Sequence, residues 1–171
     1  VIATPTVLHE EYALAAARAG RHVICEKPLA RELGAADAII AACEEAGVRL
    51  LLAHVVRFFP DLAALHKAVV EGRVGTPAVA RISRAAPFPH GRDEWHSRLR
   101  VSGGAAFDMG IHDLDWLLWT FGPARRVYSR GLYLRELPFL DYALTTVRHT
   151  SGVIAHVESS WAETGGFRVR A

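Results

Sequence analysis

His22-Val23-Ile24-Cys25-Glu26-Lys27-Pro28 is the stretch that decides the fold. Its first four residues read as a short buried strand, and Glu26-Lys27-Pro28 interrupts it. On the amino side, Leu8 to Ala19 is alanine-rich and helical, with Gly20 placed as its stop. On the carboxyl side, Leu33 to Ala46 predicts a second helix. Ala36, Ile39, Ile40 and Cys43 share one stripe of it, and Gly47 stands at its end. Farther out, Val1-Ile2-Ala3 is a strand stub followed by the turn signal Thr4-Pro5-Thr6, and Val48 to Ala53 is a third apolar strand. Strand, helix, strand, helix, strand predicts an α/β arrangement over residues 1–54, a parallel sheet with helical crossovers.

Beyond His54 the pattern changes. Pro60 to Glu71 predicts a helix, with proline allowed in its first turn and Gly72 past its end. Residues 78–85 alternate like a half-exposed strand, and a polar, proline-broken loop follows through Arg100. Phe107 to Phe121 predicts one strong helix closed by Gly122-Pro123. Strand-like runs follow at 126–134, 142–150 and 153–161, with Gly152 marking a tight hairpin between the last two. Helices packed on one face of a mainly antiparallel open sheet, an α+β domain, are expected over residues 55–171. A three-stranded parallel sheet starting at Val1 would leave an apolar edge, and the final Gly166 to Ala171 reads as strand. The expectation is an interior piece of a longer protein, or a chain that completes its sheet by association.

Composition narrows the function classes. Of 171 residues, 51% are hydrophobic and 22% charged, which suits a packed globular chain. The net charge of +2 comes with scattered arginines and no basic stripe, so neither nucleic acid nor a membrane surface is indicated as a partner. Cys25 and Cys43 each lie in an apolar segment, fit a reducing compartment such as the cytoplasm, and have no metal-ligand spacing. No apolar run reaches the roughly 18 residues of a membrane span.

Three segments carry candidate chemistry. Thr4-Pro5-Thr6 follows a strand and precedes a helix, where ligands bind in parallel sheets; it also reads as a plain proline turn with Thr6 as N-cap. His9, a turn later, reads on its own as a helix-surface histidine. Glu26-Lys27-Pro28 places opposite charges at the end of a buried strand, and the proline can adopt a cis bond that holds Lys27 at a cleft. There Lys27 could hydrogen-bond a substrate hydroxyl; a surface salt pair is the alternative. Asp108, His112 and Asp115 fall within about 60° of one another at about 100° per residue, beside an apolar stripe of Phe107, Ile111, Leu114 and Leu118. A carboxylate and an imidazole four apart can form a general base. A solvated face with a satisfied core histidine, or a metal site, uses the same spacing. The loop Gly-x-Gly-x-x-Gly is absent from the sequence.

Together these motifs resemble the glucose–fructose oxidoreductase and inositol dehydrogenase family, often called Gfo/Idh/MocA. The matching segments are Val1 to Pro5 with His9, then His22 to Ala30, His54 to Pro60 and Gly72 to Pro77. Gly103-Gly104 with Asp108-x-Gly110-x-His112-x-x-Asp115 completes them. The resemblance implies a Rossmann domain, partial here over 1–54, and a C-terminal domain with a large open sheet, incomplete here over 55–171. It implies NAD or NADP as cofactor and a sugar, inositol or related polyol as substrate. By the same resemblance Lys27 is the catalytic lysine, and Asp108 and His112 contact the substrate, with His112 as acid/base. Thr4, Pro5, His9, Glu26 and Lys27 line the cofactor side, Arg57 is a cofactor or substrate contact, and the open sheet pairs subunits into a homo-oligomer. The family's first strands and glycine loop have no counterpart in these residues.

The reaction this implies is oxidation of a secondary alcohol by hydride transfer. His112 takes the hydroxyl proton, Lys27 polarises the same oxygen, and Asp108 orients His112 or binds a neighbouring hydroxyl. Two alternatives stay open: a non-catalytic ligand- or protein-binding member of the same fold, and a metal-dependent lyase or isomerase built on Asp108, His112 and another histidine. The loop from Phe88 to Val101 is expected to help choose the substrate.

Overall fold

The computed structural model describes residues 1–89, 98–132 and 141–171. The chain divides into two units, Val1–His54 and Val55–Ala171.

In the first unit, a short 3-10 turn over Thr6–Leu8 leads into α1, His9–Arg18. Strand β1 (Val23–Glu26), helix α2 (Leu33–Glu45) and strand β2 (Leu50–Ala53) follow. β1 and β2 pair in parallel from Val23↔Leu50 to Glu26↔Ala53, and Ile2 bridges Cys25 in parallel on the other side. The expected parallel sheet with helical crossovers is therefore present. Val23 and Cys25 point into a core with Ile2, Ala13, Ala17, Ile39 and Cys43, while Ile24 on the opposite face is 43% exposed. Both cysteines are free thiols in this core, where burial pushes the Cys25 thiol up to about 11. The buried stripe of α2 is narrower than expected: Ile39 and Cys43, four apart, face the sheet, and Ile40, about 100° round the helix, is exposed.

The second unit begins with a 3-10 turn at Val55–Phe58 and helix α3, Pro60–Val70. Strand β3 spans Val79–Ala85. Helices α4 (Leu99–Ser102), α5 (Gly104–Asp108) and α6 (Gly110–Phe121) follow. Strands β4 (Ala124–Leu132), β5 (Tyr142–His149), β6 (Ile154–Ser160) and β7 (Arg168–Arg170) complete the unit. The sheet order is β4-β5-β6-β3-β7. It is antiparallel except that β3 runs parallel to β6, because the helices intervene between them in the chain. Gly152 makes the expected hairpin, donating its N–H to the carbonyl of His149 at 3.1 Å. Alternation of buried and exposed residues along β5 and β6 marks one covered face. Ile82, Val147, Ala155 and Val157 on that face pack with Val56, Leu62, Trp116 and Leu117. Burying such side chains contributes on the order of 1.5–3 kcal/mol each.

Two expectations about the helical segment are corrected. Phe107–Phe121 is not one helix: it breaks at Met109 into α5 and α6. The buried stripe of α6 is Gly110, Asp113, Trp116 and Leu117, whereas Leu118 is 46% exposed. The stripe rotates because Asp113 is buried together with a partner arginine, described below. The expected strand at 126–134 starts earlier, at Ala124, and its residues 133 and 134 lie outside the described residues, as do residues 90–97 of the substrate-selecting loop.

Candidate active site

In the first unit, the turn after Ile2 and the loop after β1 both leave the carboxyl ends of parallel strands, the end where such sheets bind ligands. His9 ties them together. Its Nδ1 lies 2.8 Å from the carbonyl oxygen of Pro28, and its Nε2 lies 2.9 Å from that of Thr4. His9 is 1% exposed, so the expected helix-surface histidine is a buried staple. Thr6 does not cap α1 with its side chain; it is buried within the 3-10 turn, and Leu8 occupies the cap position. Glu26 and Lys27 are half-buried, Pro5 is exposed, and the Lys27–Pro28 bond is cis. The buried Thr4 hydroxyl has no hydrogen-bond partner among the described residues. An orphaned hydroxyl at the ligand-binding end of a parallel sheet fits a polar ring amide such as the nicotinamide carboxamide.

In the second unit, Gly103 adopts φ +77, and a Cβ there would meet the Phe107 side chain at 2.5 Å, so glycine alone allows α5 to start against its own ring. Asp108 ends α5 and His112 lies in the first turn of α6, both half-buried. Between them Met109, at φ −96 and ψ −45, interrupts the helix for one residue. Asp115 accepts both arms of Arg57, Nε at 2.7 Å and Nη2 at 2.5 Å. Arg57, expected as a cofactor or substrate contact, thus directs two donors into its own fold and also lies over the Trp119 ring at 5.5 Å. Among the described residues no cluster of three or more His, Cys, Asp or Glu could hold a metal ion. No described helix is long and apolar enough to cross a membrane.

Comparison with known proteins fits this arrangement. Residues 1–54 match the oxidoreductase family with the NAD-binding Rossmann fold, and residues 62–171 match the GFO/IDH/MocA C-terminal domain. The chain belongs to the Gfo/Idh/MocA family of oxidoreductases. It is 37% identical to a 1,5-anhydro-D-fructose reductase of Ensifer adhaerens, over 96% of this chain and 52% of the relative. It is 32% identical to a myo-inositol 2-dehydrogenase of Thermotoga maritima, over 99% of this chain and 52% of the relative. Among solved structures, levoglucosan dehydrogenase in complex with NADH and levoglucosan superposes with a TM-score of 0.87. It shares 27% identity, over 99% of this chain and 50% of that one. The chain spans about half the length of the curated relatives it matches.

Sequence reading missed two residues that organise this family member's second unit, Arg84 and Asp113. Arg84 donates Nε to Asp113 at 2.9 Å and Nη2 at 2.7 Å, with side chains 3% and 1% exposed. Burial pushes the Asp113 carboxyl up, and Arg84 pulls it part of the way back. A signal was available: Ile82 and Arg84, two apart in an alternating strand, must share a face.

Proposed function

We propose that the intact protein is an NAD- or NADP-dependent dehydrogenase acting on a secondary alcohol of a sugar, inositol or related polyol. The observation that carries this reading is the loop leaving β1. Lys27 sits half-buried at the ligand-binding end of a parallel sheet of the NAD-binding family, in a loop that His9 fastens through Pro28. Nicotinamide, when bound, supplies or takes up the hydride. Thr4 and Glu26 would offer polar groups to the cofactor, with Pro5 and His9 shaping the turn. Lys27 donates a hydrogen bond to the reacting oxygen, which lowers the cost of negative charge there. His112 accepts the hydroxyl proton at a ring nitrogen, and Asp108 orients it or binds a neighbouring hydroxyl. Relatives with sugar and polyol names support the substrate class. The free, buried cysteines support a cytoplasmic setting. A homo-oligomer through the open sheet face is part of the same reading, checked by sedimentation of the intact protein.

The test is a screen of inositols, xylose, levoglucosan and 1,5-anhydro-D-fructose with each cofactor, following absorbance of the reduced form. Lys27→Met and His112→Ala should each lower kcat by roughly 10²–10⁴ while cofactor affinity persists. Near-normal turnover in both variants overturns the assignment. Silence of the parent protein on every compound favours a non-catalytic binding role.

A further inference from the structure

We propose that the buried Arg84–Asp113 ion pair is a positioning device that sets the place of His112, a role that rests on reading His112 as the acid/base group. Arg84 and Ser159 face each other in the β3–β6 register. The first turn of α6 is docked on this rung at two points. Gly110 approaches Ser159 so closely that a Cβ on it would lie 2.8 Å from the serine Oγ. Asp113, three residues on and therefore on the same helix face, takes both arms of Arg84. His112 lies between these two anchors in the same turn.

Met109, the cap residue of α6, makes no side-chain cap hydrogen bond among the described residues. The backbone holds the turn at one point, where the His112 N–H donates to the Met109 carbonyl at 3.2 Å. The rung adds side-chain contacts to that turn. Asp115, about 200° round the helix from Asp113, is held by Arg57 from another side, so the helix is fastened against rotation as well as sliding.

Stability alone does not explain the choice of residues. The surrounding interface of Ile82, Trp116, Leu117 and Val157 is apolar. Replacing a buried ion pair with apolar residues of similar volume is often neutral or stabilising. What the pair adds is direction. Two parallel N–H···O bonds fix distance and angle together, whereas apolar contacts permit a helix to shift and repack. An acid/base group needs its ring nitrogen within hydrogen-bond reach of the reacting proton, so a small displacement of this turn lowers the rate without unfolding the protein.

The deciding experiment is the double variant Arg84→Met/Asp113→Leu of the intact protein. It should fold cooperatively with a Tm equal to or above the parent's. Its kcat should fall at least tenfold, with KM for the cofactor little changed, and the ring signals of His112 should move in a histidine-labelled NMR spectrum. If the double variant does not fold, Arg84→Lys, which keeps the charge and loses the fork, should show the same split between kcat and KM. A folded variant with parental kcat and an unmoved His112 ring signal overturns the proposal. If the parent protein turns over no polyol, the dehydrogenase reading fails separately. The His112 signal then decides the positioning claim by itself: movement supports it, and no movement overturns it.

Discussion

Lys27 and His112 are held by different kinds of contact. The Lys27 loop is fastened through main-chain oxygens, because His9 reaches the carbonyls of Pro28 and Thr4. The His112 turn is fastened through side-chain charges, with Arg84 on Asp113 and Arg57 on Asp115. Any residue supplies a carbonyl, so in the first unit the staple depends on the identity of His9 alone. In the second unit each fastening needs two specific partners. One removed partner leaves the other charged, and in the core that is the more severe loss.

The largest expected effect follows from that asymmetry. Asp113→Ala strips the carboxylate from a buried guanidinium and should lower unfolding stability by about 3–5 kcal/mol, read from urea denaturation. His9→Leu removes both ring contacts and leaves a carbonyl without its N–H donor, for about 1–3 kcal/mol. It should also raise exchange of the amides around Lys27 while those of α6 stay as they were. If both regions respond equally to His9→Leu, the contrast between the two fastenings fails.

How much of this was legible in the sequence differs between the same two regions. The strand–helix alternation of residues 1–54 could be read directly, since each element there is short, apolar and bounded by a glycine or proline. The burial of His9 could not, because its partners are backbone oxygens contributed by Thr4 and by Pro28, and no residue type marks a carbonyl as an acceptor. In the second unit the helical period of Phe107 to Phe121 was visible, but the break at Met109 was not, nor the close approach of Gly110, just after it, to Ser159 on a distant strand. The polar character of Asp113 pointed it outward. Only its pairing with Arg84, remote in sequence, turns it in. Local patterns showed the candidate lysine and histidine, while what holds them came from long-range contacts.

Two smaller effects sharpen the comparison. Arg57 is 38% exposed, so its pair with Asp115 is screened by water. Arg57→Ala should cost less than about 1 kcal/mol, well below Asp113→Ala in the same denaturation series. The smallest effect concerns His66, whose ring stacks on Trp119 at 3.4 Å and whose Nδ1 lies 3.0 Å from the Thr120 hydroxyl. Burial, and then the Arg57 charge, hold its pKa below the ordinary value. The unfolded chain therefore takes up this proton first as pH falls through about 6.5. Stability from His66 is complete above that value and declines below it, as the pH approaches the lowered folded value. His66→Gln should flatten this slope in thermal melts, and Arg57→Ala should move the His66 NMR titration upward.

The place of β3 within its sheet has a consequence in time as well as in space. β3 is hydrogen-bonded on both sides, to β6 and β7, whereas among the described residues β4 pairs on one side only and is exposed along its whole length. Amide hydrogens of a doubly bonded strand exchange only through large openings, and those of an edge strand through small, frequent ones. Arg84 therefore anchors α6 to a slowly opening part of the unit. On slow heating, the His112 turn should keep its geometry while the β4 edge is already exchanging, so thermal inactivation and global unfolding of this unit should coincide.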